Sequence, residues 1–256
     1  MEIFDELDST NDEAKRRVQK ALEAGGKELQ KIYGAVLIAR KQTAGRGRRG
    51  RVFVSPGGDS LYISFILMPY GDSNLNILFT AAAAVAVCRA AHTALPEADS
   101  RIKWINDVYS DGRKVCGILT EGGSNPNGSG IAAVVLGIGV NINLREEDFP
   151  PELQGVAGSF VLNEKERDRF VSTLIENVFS LTDGLGEDGG KAALIDEYRA
   201  LSLLEPGQEV TVYALPGEGK GIPAEVIGID DDGGLKVRYA DGRQETLRSG
   251  EISKKA

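Results

Sequence analysis

Arg101-Ile102-Lys103-Trp104-Ile105-Asn106-Asp107-Val108-Tyr109-Ser110-Asp111-Gly112-Arg113-Lys114-Val115-Cys116-Gly117-Ile118-Leu119 reads as two strands joined by a tight turn. Asp-Gly between two such runs suits the positive φ values that a two-residue hairpin demands. With Asp111 and Gly112 as the turn, Ser110 pairs with Arg113 and Tyr109 with Lys114. Carrying that register on sets Asp107 opposite Cys116. Side chains alternate along a strand, so Lys103, Asp107 and Lys114 share one face of the sheet. Two lysines and an aspartate beside Trp104, Ile105 and Ile118 are costly to bury unless they serve something polar. A surface hairpin with its charges in water is the alternative, and the apolar neighbours weigh against it.

The flanking segments extend the same sheet. Ile131–Asn143 is a long buried strand in which Gly137 and Gly139 leave one face bare, so a flat ligand can approach the backbone. No helix follows with dinucleotide-fold spacing and no Walker A loop is present, so a nucleotide needs another scheme. Upstream, the apolar strand Ala35–Ala39 feeds Arg40–Arg51, a stretch with six basic residues, three glycines and no acid, in a chain of formal net charge -8. Glycines turn backbone N–H groups toward a ligand and arginines offer forked donors, so this loop is suited to close over an anion. An RNA-binding arginine–glycine segment and a solvated basic loop share that composition. Ser60–Phe65 alternates as a half-buried strand, which holds the loop between two core strands.

Asp8-Ser9-Thr10-Asn11-Asp12 leads into a helical run over Ala14–Ala24. Ser9 with Asp12 fits a capping box, and the same hydroxyls and amide could instead bind a polar ligand at the helix start. Leu75–Leu95 is a long, mostly apolar helix stopped by Pro96; its apolar run Ile77–Ala91 is short and alanine-rich, and reads as buried, not as a membrane span. His92, the single histidine, has no metal partners and is assigned no chemistry. Asn163–Glu166 caps a helix running to about Gly184, with Phe170, Leu174, Val178 and Leu181 in the core, and a second helix covers about Lys191–Leu201. From Glu205-Pro206-Gly207 the pattern turns to short strands with turns at Pro216-Gly217, Asp232-Gly233-Gly234 and Asp241-Gly242, as in a small all-β barrel. Asp230-Asp231-Asp232 lacks calcium-loop spacing and reads as a turn. The expected division is 1–204 and 205–256. The 256 residues are 41% hydrophobic and 27% charged. That composition and a pI near 4.9 argue for a soluble globular protein and against a general nucleic-acid coat. Cys88 and Cys116 form no disulfide framework, and the N-terminus lacks a signal peptide, so a cytoplasmic home is expected.

Taken in order, the chain resembles the biotin–protein ligases, in the short form without a DNA-binding domain. The resemblance rests on Ser9-Thr10-Asn11, Gln42-Thr43-Ala44-Gly45-Arg46-Gly47-Arg48-Arg49-Gly50-Arg51, Lys103-Trp104-Ile105-Asn106-Asp107-Val108, Lys114-Val115-Cys116-Gly117-Ile118-Leu119 and Gly137-Ile138-Gly139-Val140-Asn141-Ile142-Asn143, with Ser249-Gly250-Glu251-Ile252-Ser253 at the tail. It implies an α+β fold: a mixed sheet with helices, related to class II aminoacyl-tRNA synthetases, and a C-terminal SH3-like β-barrel. By resemblance, Ser9, Thr10, Asn11 and Gln42 bind biotin, Arg46, Gly47 and Arg48 close over it, and Gly137 and Gly139 lie against its ureido ring. Lys114 contacts the biotin carboxylate and the phosphate. Arg48, Arg51, Lys103, Asn106 and Asn141 serve ATP, and Phe53 stacks on adenine. The family usually has proline at Ile105 and often tryptophan at Phe53, so the turn toward Asn106 is expected to be less rigid and the stacking area smaller.

The implied reaction joins biotin to the α-phosphate of ATP, with Mg²⁺ on the phosphates, and then passes biotin to a lysine. The acceptor is a biotin carboxyl carrier protein, such as the biotin-accepting domain of acetyl-CoA carboxylase. Arg48, Lys114 and Asp107 are the candidate catalytic residues, with Asp107 orienting or deprotonating the acceptor amine. No metal ligand can be named. A homodimer fits the family, and no DNA or membrane partner is expected, since eight residues before Ser9 cannot hold a helix-turn-helix. A lipoate–protein ligase is the nearest rival enzyme, and an RNA-binding module the rival of another class.

Overall fold

The computed structural model describes residues 1–25, 27–51, 53, 60–70, 75–124, 130–213 and 221–254. Seven strands form the larger sheet: β1 (Glu2–Phe4), β2 (Ala35–Ala39), β3 (Leu61–Leu67), β4 (Ser100–Lys103), β5 (Asp107–Ser110), β6 (Arg113–Ser124) and β7 (Ile131–Val140). Their order is β1-β2-β3-β7-β6-β5-β4. β1 runs parallel to β2 and the other pairs are antiparallel, which makes the sheet mixed.

Five helices cover the two faces unequally: α1 (Thr10–Glu23), α2 (Lys27–Ile32), α3 (Leu75–Ala94), α4 (Glu164–Gly184) and α5 (Gly190–Ala200). α3 packs on one face together with α4 and α5. Its window Ile77–Ala94 is apolar and long enough to cross a membrane, yet 83% of it is buried inside the protein, so it is a core helix. Ala81, Ala82, Ala83 and Ala84 are almost wholly buried, and their small side chains let α3 sit close to its neighbours. α4 buries Phe170, Leu174, Val178 and Thr182. Leu181, expected in this stripe, is partly buried and packs against the same core, and the Thr182 hydroxyl beside it is satisfied by the Val178 carbonyl at 2.8 Å.

The opposite face is only partly roofed. α1 and α2 lie over Leu37, Ile66, Ala133 and Val135. Along β7 the alternation continues on that face to Gly137 and Gly139, while Leu136, Ile138 and Val140 point into the main core. The side-chain-free stretch therefore begins under the first turn of α1, where Asn11 lies over Gly137. β3 was expected to be half-buried, but all seven of its residues are buried. Leu61, Ile63 and Phe65 join the core under α3. Tyr62, Ser64 and Ile66 alternate with them onto the face that carries α1.

The hairpin turns at Asp111 (φ 50) and Gly112 (φ 77), with Ser110 opposite Arg113 and Tyr109 opposite Lys114 as expected. Beyond that the expected register fails. The pairing shifts between Val108 and Tyr109, so Cys116 faces Val108 and Asp107 faces Gly117. Val115 is the extra residue of the bulge. Lys114 keeps the face shared with Lys103 and Asp107, Cys116 turns into the core, and Gly117 leaves room over Asp107.

β4 would be an open edge, but the Ile102 N–H donates to Leu201 and its carbonyl accepts from Leu203, both at 2.8 Å. The chain leaving α5 thereby seals the sheet. It then builds β8 (Glu209–Tyr213), β9 (Ile222–Ile229), β10 (Leu235–Tyr239), β11 (Gln244–Leu247) and β12 (Glu251–Lys254). These form an antiparallel sheet in the order β11-β10-β9-β8-β12, the SH3-like unit. The Asp230–Gly234 turn joins β9 to β10, as its sequence implied. The Pro216-Gly217 turn lies outside the described residues.

Candidate active site

Two cavities adjoin on the bare face. The smaller is lined by Ser9, Thr10, Asn11, Gln42, Tyr62, Gly137 and Gly139, and the larger by Arg48, Arg51, Lys103, Asn106, Asp107, Lys114 and Asn141. Arg46, Phe53, Gly117 and Leu119 line both, so the two spaces share a wall.

The smaller cavity is a hydroxyl and amide nest at the start of α1. Ser9 is the N-cap, and its side chain accepts from the Asp12 N–H, without the reciprocal bond of a full capping box. Gln42 Oε1 accepts from the Thr10 N–H at 2.8 Å and from its hydroxyl at 3.1 Å. Ser64 Oγ lies 2.7 Å from Thr10 Oγ1 and 2.6 Å from Asn11 Oδ1, and its single proton serves one of them at a time. Asn11 Nδ2 donates to the Leu119 carbonyl at 3.3 Å and to Glu121 Oε2 at 2.9 Å. Thr10, Asn11, Gln42 and Ser64 are thus oriented by these bonds.

Both strand glycines lie close under side chains. A Cβ on Gly137 would stand 2.1 Å from Asn11 Oδ1, and one on Gly139 would stand 2.7 Å from Phe53 Cζ. Gly117 also abuts Phe53, at 3.1 Å from a built Cβ. The Phe53 ring meets Tyr62 edge-on, with centroids 6.2 Å apart. It therefore leans on the strand glycines between the cavities. The smaller cavity holds about 30 Å³, room for a few water molecules at most.

The larger cavity, of about 260 Å³, is lined by the cations Arg46, Arg48, Arg51, Lys103 and Lys114 and the carboxylates Asp107 and Glu251. This positive excess within an acidic protein attracts a polyanion. Each cation is held by a neighbour. Arg46 Nε pairs with Asp12 Oδ2 at 2.7 Å, and Arg51 Nη2 with Glu251 Oε2 at 2.5 Å. Arg48 Nη1 donates to Asn106 Oδ1 at 2.9 Å, and Lys103 Nζ lies 5.6 Å from the Tyr109 ring centre. Lys114 Nζ approaches Asp107 Oδ1 at 2.7 Å as an ion pair, outside good hydrogen-bond alignment. Asn141 Nδ2 donates to the Gly158 carbonyl at 2.9 Å. Asn106 Nδ2 donates to the Ile118 carbonyl at 3.0 Å. Burial pushes the Cys116 thiol well above its usual range, which removes it as a nucleophile despite its place in the wall. No cluster of three metal-ligating side chains occurs among the described residues.

Residues 7–141 match the Biotin/lipoate A/B protein ligase family, and residues 207–255 match the Biotin protein ligase C terminal domain. The chain belongs to the biotin/lipoate A/B protein ligase family. It is 35% identical over 221 residues to the biotin--[acetyl-CoA-carboxylase] ligase of Paracoccus denitrificans, covering 82% of this chain and 86% of that one. It is 33% identical over 215 residues to the bifunctional ligase/repressor BirA of Bacillus spizizenii, covering 82% of this chain. That match spans 63% of the Bacillus protein, so the two differ in extent. Among solved structures, the biotin protein ligase of Aquifex aeolicus in complex with biotin and ATP superposes with a TM-score of 0.74 at 28% identity, covering 98% of this chain and 97% of that one.

Within this ligase frame, all sixteen residues singled out from sequence line one or both cavities. The sequence reading missed Tyr62, which alternation on β3 directs into the smaller cavity, and Ser64, which bonds to Thr10 and Asn11 behind it. It also missed Glu121, which fixes Asn11. A further omission is the barrel's own contribution of Gly250, Glu251 and Ile252 to the wall of the larger cavity. Ile105, expected to leave its turn less rigid, is buried, and its carbonyl accepts from the Tyr198 hydroxyl at 3.1 Å.

Proposed function

We propose that this protein is a biotin–protein ligase that activates biotin with MgATP to biotinyl-5′-AMP and transfers biotin to a lysine of a biotin carboxyl carrier protein. The observation that carries the reading is the shared wall of Arg46, Phe53, Gly117 and Leu119 between a hydroxyl–amide cavity and a cationic one. A neutral, polar ring in the first and a triphosphate in the second would bring a carboxylate and an α-phosphate together at that wall.

The first step joins two anions, so its barrier is largely electrostatic. The carboxylate oxygen of biotin attacks the α-phosphorus, and pyrophosphate leaves with the electron pair of the broken P–O bond. Lys114, Arg48 and Arg46 would neutralise the approaching charges, and Lys103 and Arg51 would hold the phosphates. Asn106, Asn141 and Phe53 would border the nucleoside. Mg²⁺ would enter as part of the nucleotide substrate, bound largely by phosphate oxygens and water, so a dedicated carboxylate cage is unnecessary. In the second step the carrier's amine attacks the acyl carbon and AMP leaves. Asp107 would orient that amine or take its proton once Lys114 is drawn to the ligand's anions. The functional division is 1–204 for both half-reactions, with 205–256 adding Glu251 at the cavity rim.

The test is incubation with biotin, MgATP and an apo carrier domain, followed by a probe for protein-bound biotin. Biotin-dependent labelling supports the reading. Lipoate-dependent pyrophosphate exchange without a biotin response would transfer the protein to the lipoate branch. No product with a carrier that another ligase labels would overturn the proposal.

A further inference from the structure

The barrel reaches the cationic cavity from behind as well as at its rim. Its β9–β10 turn is rigid: Asp230 Oδ1 accepts from the Asp232 and Gly234 N–H groups at 2.9 and 2.7 Å. Arg248 Nη2 pairs with Asp230 Oδ2 at 2.7 Å. Gly233 sits at the tip with φ +81, and a Cβ there would stand 2.7 Å from Ile77 Cγ2 of α3. Only a glycine lets the turn press this deeply between α3 and α5. The turn is also pinned electrostatically to α5. Arg199 donates to Asp231 Oδ1 at 2.6 Å and to the Ile229 carbonyl at 2.9 Å, and Lys191 pairs with Asp232.

At the bottom of this socket, Trp104 Nε1 donates a buried 3.0 Å hydrogen bond to the Gly233 carbonyl. Trp104 lies between Lys103 and Asn106, and all three border the nucleotide cavity. From the same side, the Tyr198 hydroxyl of α5 holds the Ile105 carbonyl. The strip Lys103–Asp107 is therefore bonded to the second sheet and α5 behind and opens onto the cavity in front. The residues lining the hydroxyl–amide cavity lie on α1, β3, β6, β7 and the basic loop, apart from this strip.

We propose that the Asp230–Gly234 turn is a positioning element for the nucleotide half of the site, acting on Lys103, Asn106 and Asp107 through the Trp104–Gly233 bond. The role rests on the ligase reading above. Displacing the strip should spoil alignment of the phosphates while leaving the biotin cavity as it is. Misplacing a reacting group by about 1 Å costs on the order of a hundredfold in rate.

The test uses the full chain and two variants. Trp104→Phe keeps an aromatic ring and removes the N–H donor. Asp232→Asn removes the partner of Lys191 outside the cavity. Biotin-dependent pyrophosphate exchange is expected to fall about tenfold or more in kcat/KM for ATP in Trp104→Phe, and by a smaller factor in Asp232→Asn. The Kd for biotin alone should stay at the wild-type value in both. Trp104 is the single tryptophan. Its emission in Asp232→Asn should shift to longer wavelength, and high salt should shift the wild type the same way. Equal losses in biotin and ATP parameters, or unchanged ATP kinetics, would overturn the proposal. If Trp104→Phe does not fold, Asp232→Asn decides alone. Absence of exchange in the wild type would fault the ligase reading, and the emission arm would still test the docking of the turn.

Discussion

Lys114 and Asp107 hold each other at 2.7 Å across the bulged hairpin, with their side chains 34% and 22% exposed. The pair occupies the place where a ligand carboxylate and phosphate would draw the ammonium away. On the proposed mechanism, binding would exchange one anionic partner of Lys114 for others and release Asp107 for the second step. Lys114→Ala should lower biotin-dependent pyrophosphate exchange by about a hundredfold or more, since it removes a cation from the point of charge contact. Asp107→Asn should leave adenylation within a few-fold and slow transfer from preformed biotinyl-5′-AMP by about a hundredfold. Single-turnover assays of each half-reaction separate the two. Transfer at the parental rate across pH in Asp107→Asn would remove Asp107 from the mechanism.

Gly137 and Gly139 should respond differently to the same substitution. Gly137→Ala drives a methyl into the Asn11 amide, whose Oδ1 accepts from Ser64 and whose Nδ2 donates to the Leu119 carbonyl and Glu121. That network cannot move cheaply, so about 1–3 kcal/mol of stability should be lost along with biotin binding. Gly139→Ala meets the Phe53 ring instead, at the end of a movable side chain. Its thermal stability should stay near wild type while biotin affinity falls, because the methyl stands where the ligand ring would lie. Paired melting curves and calorimetric titrations decide it. Equal destabilisation by the two substitutions would refute the distinction.

Tyr62 is 1% exposed, and its hydroxyl has no hydrogen-bond partner among the described residues. An unmade buried hydrogen bond costs about 1–3 kcal/mol. That cost is repaid if the hydroxyl meets a ligand in the cavity Tyr62 lines. Tyr62→Phe should therefore stabilise the free protein, by about 1 kcal/mol, and weaken biotin binding. A stability gain with unchanged affinity would mean the hydroxyl serves no ligand.

The parts of the site that sequence conveyed are those in which residue type and backbone demand coincide. Asp111-Gly112 declares its turn through positive φ, and Gly137 and Gly139 declare a bare face through period-two alternation. Ser9-Thr10-Asn11 and the basic loop stand out by chemistry. What stayed hidden depends on distance in the fold. The bulge at Val115 shows in sequence only as Val115-Cys116, two adjacent apolar residues that alternation would separate. Phe53 is expected at adenine by family likeness, and its place against Gly139 and Gly117 follows from the space those glycines leave. Glu251 is an ordinary exposed-strand residue until the barrel's docking brings it to Arg51. Nor could composition reveal that Asp230, Asp231 and Asp232 are consumed by Arg248, Arg199 and Lys191.

The N-terminal approach to the hydroxyl–amide cavity carries a pH-dependent tether. Asp8 accepts from Arg16 Nη1 at 2.7 Å and Nη2 at 2.9 Å, and also from the Ser9 N–H at 2.7 Å. The Arg16 guanidinium chiefly, with the Ser9 N–H, lowers the Asp8 pKa to about 2 from 3.8. A folded pKa below the unfolded one means that the stabilisation is complete above pH 3.8 and fades as pH falls toward 2. The side chains of Asp8 and Arg16 are 44% and 52% exposed, so solvent screening holds the contribution below about 1 kcal/mol. Asp8→Asn should lower the urea midpoint slightly at neutral pH, and the gap to wild type should narrow between pH 4 and pH 2. At neutral pH the gap should also shrink in high salt. A gap that widens on acidification would show that Asp8 gains nothing from Arg16 in the folded state. The tether to Ser9 would then have to rest on the backbone bond alone.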